Sequence, residues 1–170
     1  MNMKKITALS VVLIMAVSFV SCGDGGKKSS KSGSDKTAED FMDFSGEIFY
    51  TSIFPDERIE ELKDSGEWED LIGKYNDDME DSPYKYKAKD VKKGEELADL
   101  EYAESYFSDE MDVDVEVTKG YEYIAKVQCT NRDDGKKDTY TRKYCVVEVN
   151  DDWKVIPISA EELEKTYAKK

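Results

Sequence analysis

The apolar periodicity of this chain changes at Ser82-Pro83, and that change fixes the class of fold open to it. Before it, large apolar residues recur every three or four positions; after it, long stretches alternate at every second. The first spacing puts side chains on one stripe of a helix, and the second puts them on one face of a strand. Phe41, Phe44, Ile48 and Phe49 predict a helix running from a capping box at Thr37 and Asp40 to the Phe54-Pro55 break. Pro55 opens a second helix with Ile59 and Leu62 inward, closed by Gly66. Trp68, Leu71, Ile72, Tyr75 and Met79 mark the stripe of a third.

Beyond Pro83, YKYKAKDV alternates tyrosine with lysine as a half-buried strand does. A helix is expected over residues 95–107 through Leu97, Leu100, Ala103 and Phe107. From Asp112, three acids face one side and Val113, Val115 and Val117 the other, which predicts a strand with a wet and a dry face. YEYIAKVQCT, the polar turn NRDDGKKD, TYTRKYCVVEV, a tight turn at Asp151 and Asp152, and WKVIPIS then read as a meander, and Ser159 with Glu162 caps a terminal helix. The order predicts one α+β domain over residues 38–170, with N-terminal helices packed on a curved antiparallel sheet. Its size and apolar content suit a single core.

With Asp151 and Asp152 as the turn, Val149 faces Lys154, Val147 faces Ile156 and Cys145 faces Ile158. The preceding hairpin then matches Tyr121 with Val149, Tyr123 with Val147, Ala125 with Cys145 and Cys129 with Thr141. In that register Cys129 and Cys145 share a face but stand about 13 Å apart along the sheet, whereas a disulfide needs α-carbons within ~7 Å. Both thiols are expected to be free and largely buried.

The N-terminus has a different build. Lys4 and Lys5 precede an uncharged stretch from Ile6 to Val20, followed by small Ser21. These are the three parts of an export signal, and the apolar stretch is short of the ~20 residues that cross a bilayer core. Phe19-Val20-Ser21-Cys22 resembles the lipobox of bacterial lipoproteins, with Phe19 where leucine is most common. The resemblance implies cleavage before Cys22, a diacylglycerol on its thiol, acyl chains such as palmitate as the membrane anchor, and an extracytoplasmic location. Residues 23–36, GDGGKKSSKSGSDK, contain no apolar side chain and read as a flexible tether spanning about 20 Å. The expected division is a signal peptide over 1–21, lipidated Cys22 and tether over 22–37, and the domain over 38–170.

Charge is distributed unevenly. The chain has 25 basic and 39 acidic residues; residues 1–37 hold six of the basic and two of the acidic ones, so the body carries 19 against 37. That excess argues against nucleic acid, whose binding requires neutralised phosphates, and against close docking of the body on an anionic membrane or wall polymer.

Chemistry-bearing motifs are few. The chain has no histidine, which removes serine–histidine and cysteine–histidine nucleophiles and the commonest metal ligand. Cys129 and Cys145 are too few for structural zinc. The acids around Gly135 miss calcium-loop spacing and read as a hairpin turn, while the acidic run at 76–81 reads as a solvated helix end. No cofactor is expected.

The element order, ending in DDWKVIPI, resembles the cone-shaped fold of the nuclear transport factor 2-like and cystatin-like superfamily, and the whole is similar to small lipoproteins of anaerobic Gram-positive bacteria. Enzymes of the cone fold place a carboxylate and tyrosines inside the cone. Tyr102, Tyr106, Tyr121, Tyr123, Tyr140 and Tyr144 lie on elements that can reach such a cavity. Packed aromatic pairs explain the same residues. The expected function is a surface binding module for a protein partner or small ligand, with an isomerase or lyase as the alternative. A deep cavity holding a carboxylate beside a phenol marks the enzyme, and a filled interior marks the binding module.

Overall fold

The computed structural model describes residues 32–168; the expected signal peptide, Cys22 and the expected tether as far as Lys31 lie outside the described residues. Four helices come first, α1 (Gly33–Asp40), α2 (Gly46–Ile53), α3 (Asp56–Ser65) and α4 (Glu67–Asp81). Then follow β1 (Tyr84–Glu96), α5 (Glu101–Met111), β2 (Val117–Asn131), β3 (Lys137–Val149), β4 (Asp152–Ile156) and α6 (Ala160–Tyr167). The strands form one antiparallel sheet in sequence order, which is an α+β architecture.

The helical half departs from the sequence reading at its start. α1 begins at Gly33, not Thr37, and its capping box is Ser32 with Asp35: the Ser32 N–H donates to Asp35 Oδ2 at 3.0 Å and the Asp35 N–H to Ser32 Oγ at 3.4 Å. Thr37 instead donates back to the Gly33 carbonyl at 3.2 Å. The earlier start buries Ser34 completely, so residues 32–36 belong to the folded body rather than to a tether. The expected first helix is also broken in two. Between Asp40 and Gly46 the chain turns through Phe44 at a φ of 59°, and this corner lets Phe41 and Phe49 stack at 5.3 Å. Asn76 of α4 pins the corner by accepting the Gly46 N–H at 2.9 Å. α3 behaves as read: it follows Pro55, buries Ile59 and Leu62, and ends at Gly66 in the left-handed region at φ 79°.

In the second half, β1 runs on through Glu95 and Glu96, where a helix is expected, and Leu97 still donates to the Gly120 carbonyl at 2.9 Å. The cause is close approach. A Cβ on Gly120 would stand 2.6 Å from Leu97 Cδ1, so glycine lets Leu97 settle over β2. α5 starts only after Asp99 accepts the Glu101 N–H at 2.9 Å. Residues 112–116 alternate wet and dry as read, with Val113 buried, but form no strand: Asp112 ends α5 at φ 57° and pairing begins at Val117.

Both hairpin registers differ from expectation. The β3–β4 turn is Asn150-Asp151, both left-handed at φ 50° and 68°, so Val149 pairs with Asp152 and Cys145 with Ile156. Two consecutive left-handed residues match the twist of a two-residue hairpin. In the β2–β3 turn the Asn131 side chain accepts the N–H groups of Asp133 and Asp134 at 2.8 and 3.3 Å, and Gly135 takes φ 69°. Tyr123 therefore pairs with Tyr144, Ala125 with Arg142 and Cys129 with Asp138. The slip from the expected pairing is odd, and an odd slip exchanges faces. Tyr123, Ala125, Val127, Cys129, Tyr140, Arg142, Tyr144 and Val146 share what is here termed the tyrosine face; Glu122, Ile124, Lys143, Cys145 and Val147 share the reverse face. α1 covers the tyrosine face, with Tyr144 donating to the Ala38 carbonyl at 2.7 Å. α6 starts on the reverse face, where Glu122 accepts the Ala160 N–H at 3.1 Å.

The thiols are free as expected, for a different reason: they stand on opposite faces. Cys145 is fully buried, which pushes its pKa up to about 12, with Glu122 adding to the rise. Cys129 is half-buried. A neutral thiol reagent should label Cys129 in the native protein and Cys145 at least ~100-fold more slowly, because the thiolate is the reacting form. Equal labelling rates would contradict the assigned register.

Candidate functional site

The six tyrosines singled out in the sequence do not converge. Tyr106 packs edge-on against Tyr167 of α6 at 6.2 Å, and Tyr102 lies half-exposed on the same helix α5. Tyr121 stacks on Trp153 at 6.1 Å, with the Lys93 ammonium 3.3 Å above its ring. Tyr123 and Tyr144 are buried and stacked at 6.1 Å, and Tyr140 lies farther along the same face. Only the last four share a face of the sheet.

A carboxylate does meet a phenol. Tyr123, only 1 % exposed, donates to Asp35 Oδ1 at 2.8 Å and stands 2.9 Å from Ser34 Oγ, to which Lys93 Nζ donates at 3.4 Å. Burial raises the pKa of Tyr123, and the contact with Asp35 raises it further. Burial also pushes the Asp35 carboxyl up, but the Tyr123 hydroxyl, the Ser32 backbone and side chain and the Lys93 charge together hold it below its ordinary value. Tyr123 is buried between α1 and β2, while Asp35 is partly exposed at the start of α1. A shallow depression of about 380 Å³ lies at Glu101, Glu104, Ser108 and Asp114, and a niche of about 70 Å³ at Asp56, Val113, Val149 and Lys154; neither includes Asp35 or Tyr123. The contact therefore anchors the first helix to the sheet.

The niche holds a second anchor. Lys154 is 2 % exposed, and its ammonium reaches Asp152 Oδ2 at 2.9 Å, Asp56 Oδ1 at 3.1 Å and the Thr51 carbonyl at 3.3 Å. Three acceptors for three donors leave the buried charge satisfied. It ties β4 to the α2–α3 corner and has no donor left for a ligand.

Arg142 is different. Its guanidinium sits 4.7 Å over the Phe41 ring, with Tyr75, Tyr140 and Tyr144 near enough to act on its charge. Burial draws its pKa down, partly offset by those phenols. Tyr75, stacked on Phe49 at 4.6 Å, is pushed up to about 12 by burial although Arg142 opposes the shift. Tyr86 closes the side toward the corner, 5.6 Å from the Phe44 ring. Among the described residues the guanidinium makes no hydrogen bond or ion pair, and no fully buried side-chain nitrogen lacks a partner, so its donors are open to solvent. A half-buried cation on an aromatic floor, flanked by phenols and facing no carboxylate, complements an anion carried on a flat or apolar body. The sequence reading passed over this residue. The available signal was YTRKY, where Tyr140, Arg142 and Tyr144 fall at alternate positions and hence on one face.

Asp77, Asp78, Glu80 and Asp81 lie exposed on α4, and among the described residues no group of three or more acids or cysteines is arranged to hold a metal ion. No helix among the described residues is long and apolar enough to cross a membrane. No family model matches the chain, and neither a curated protein nor a solved structure is significantly similar to it.

Proposed function

We propose that the chain is an exported lipoprotein held by a lipid on Cys22, and that its domain is a binding module at the extracytoplasmic face whose ligand carries a carboxylate on an aromatic or apolar body. The unpartnered Arg142 in its aromatic cradle carries the reading. Elsewhere on the tyrosine face Tyr123, Ala125, Val127 and Tyr144 are buried. The second reading, a cone-fold isomerase or lyase, draws on the Asp35–Tyr123 contact; the packing of α1 over that contact weighs against it, because substrate needs room at the reacting groups. The four-stranded meander preceded by helices supports placing the domain with the nuclear transport factor 2-like type of fold.

Thermal unfolding with benzoate and with benzamide as probes tests the ligand. Saturating benzoate should raise the melting temperature by several degrees and neutral benzamide should not, since a ligand stabilises only the state it binds. Arg142→Gln should abolish the benzoate shift. Equal shifts with both probes, or a shift that survives Arg142→Gln, would overturn this assignment.

A further inference from the structure

β4 pairs only with residues 145–149 of β3, so β1, β2 and β3 run on well beyond it. On that extension the reverse face carries four rows across the strands: Lys85–Thr130–Lys137, Lys87–Gln128–Thr139, Asp90–Lys126–Thr141 and Lys92–Ile124–Lys143. All six lysines are exposed. The one acid in these rows, Asp90, is held by Lys92 at 3.3 Å, and Glu122 in the next row is held by Lys143 at 2.9 Å. Taking six lysines and one acid from the 19 and 37 of the body leaves 13 basic against 36 acidic residues elsewhere. The basic face is therefore set apart on an acidic domain, which the net charge conceals.

Edge strands often carry charge to block pairing with other sheets. Lysine is common in that role, but edge protection does not account for Lys126 on the central strand, nor for rows in which six of the seven charged residues are lysine in a chain so rich in acids. We infer that this face docks on anionic lipid headgroups. Point charges spread over a flat sheet, without an arginine fork or a pocket, fit a broad charged surface better than one compact anion. The length of chain ahead of α1 agrees. Ser32 is ten residues from Cys22, at most about 35 Å extended, and although α1 starts on the tyrosine face this reach exceeds the ~14 Å across four strands plus the ~10 Å between faces, so the chain can pass round a sheet edge. Only the anchor is taken from the proposed function; the charge attraction does not require it.

Vesicle binding tests the inference with the chain from residue 22 carrying Cys22→Ser, so that no attached lipid contributes. The chain should bind phosphatidylglycerol-containing vesicles and not pure phosphatidylcholine, and high salt should release it. Lys85→Gln, Lys87→Gln, Lys126→Gln and Lys137→Gln combined should weaken binding about a hundredfold, from the attraction each lysine adds near an anionic surface. The matched control, Lys36→Gln, Lys63→Gln, Lys74→Gln and Lys119→Gln, should stay within about twofold, because those lysines lie off the face. Should the first variant fail to fold, Lys87→Gln with Lys126→Gln alone should give an intermediate loss. Absence of a preference for anionic vesicles, as expected for a face that meets an acidic protein instead, would overturn the inference; so would equal loss in the control. An unmodified Cys22 in cells would refute the anchor and leave this result standing.

Discussion

A chain that begins at Thr37 is expected to melt about 10 °C below one that begins at Ser32, a loss of about 3 kcal/mol at this domain size. The five missing residues hold the capping box of α1 and both partners of the Tyr123 hydroxyl. Loss of the cap costs about 1 kcal/mol, and a phenol stranded at 1 % exposure costs about 2 more. A chain that begins at Gly23 should melt with the one that begins at Ser32, since residues 23–31 offer no apolar side chain to bury. The difference also depends on pH. Asp35 has a pKa below the ordinary 3.8, so its contribution is complete above that value and is lost as pH falls through the lower folded value. Below about pH 4 the two melting temperatures should draw together. Equal stability at neutral pH would place Ser34 and Asp35 outside the folded unit.

The outcome turns on a small feature of the sequence. Ser32-x-x-Asp35 and Thr37-x-x-Asp40 are equivalent as local capping signals, and local propensity does not choose between them. Burial of Ser34 and Ala38 against Tyr123 and Tyr144 chooses, and those partners lie some ninety to a hundred residues away, as the 89- and 106-residue separations of their hydrogen bonds record. The same limit explains the hairpins. Which residues form strands was legible from the alternation of YEYIAKV and YCVVEV, but register depends on turn geometry, and a turn moved by one residue shifts every pair. Asn150 with Asp151 rather than Asp151 with Asp152 displaced Cys145 from Ile158 to Ile156. Arg142 was hidden for a related reason: its setting is built by Phe41 and Tyr75 from distant helices, and neither contact has a sequence spacing to read. The absence of histidine, by contrast, needed no structure to remove whole classes of mechanism.

The largest effect expected in a cell comes from one sulfur atom. If Cys22 carries a diacylglycerol, two acyl chains bury enough methylene groups to hold the chain on the bilayer, whereas a single chain is marginal. Cys22→Ser removes the attachment point, and the ratio of membrane-bound to soluble protein should fall about a hundredfold or more, less whatever the lysine face retains through charge alone. Washing with high salt separates the two contributions, because salt screens the lysines and leaves buried acyl chains in place. The most direct measurement is the mass of the N-terminal peptide from the membrane fraction. The account predicts a chain that begins at Cys22 with its thiol joined to diacylglycerol; a soluble mature chain with an unmodified Cys22 would contradict it.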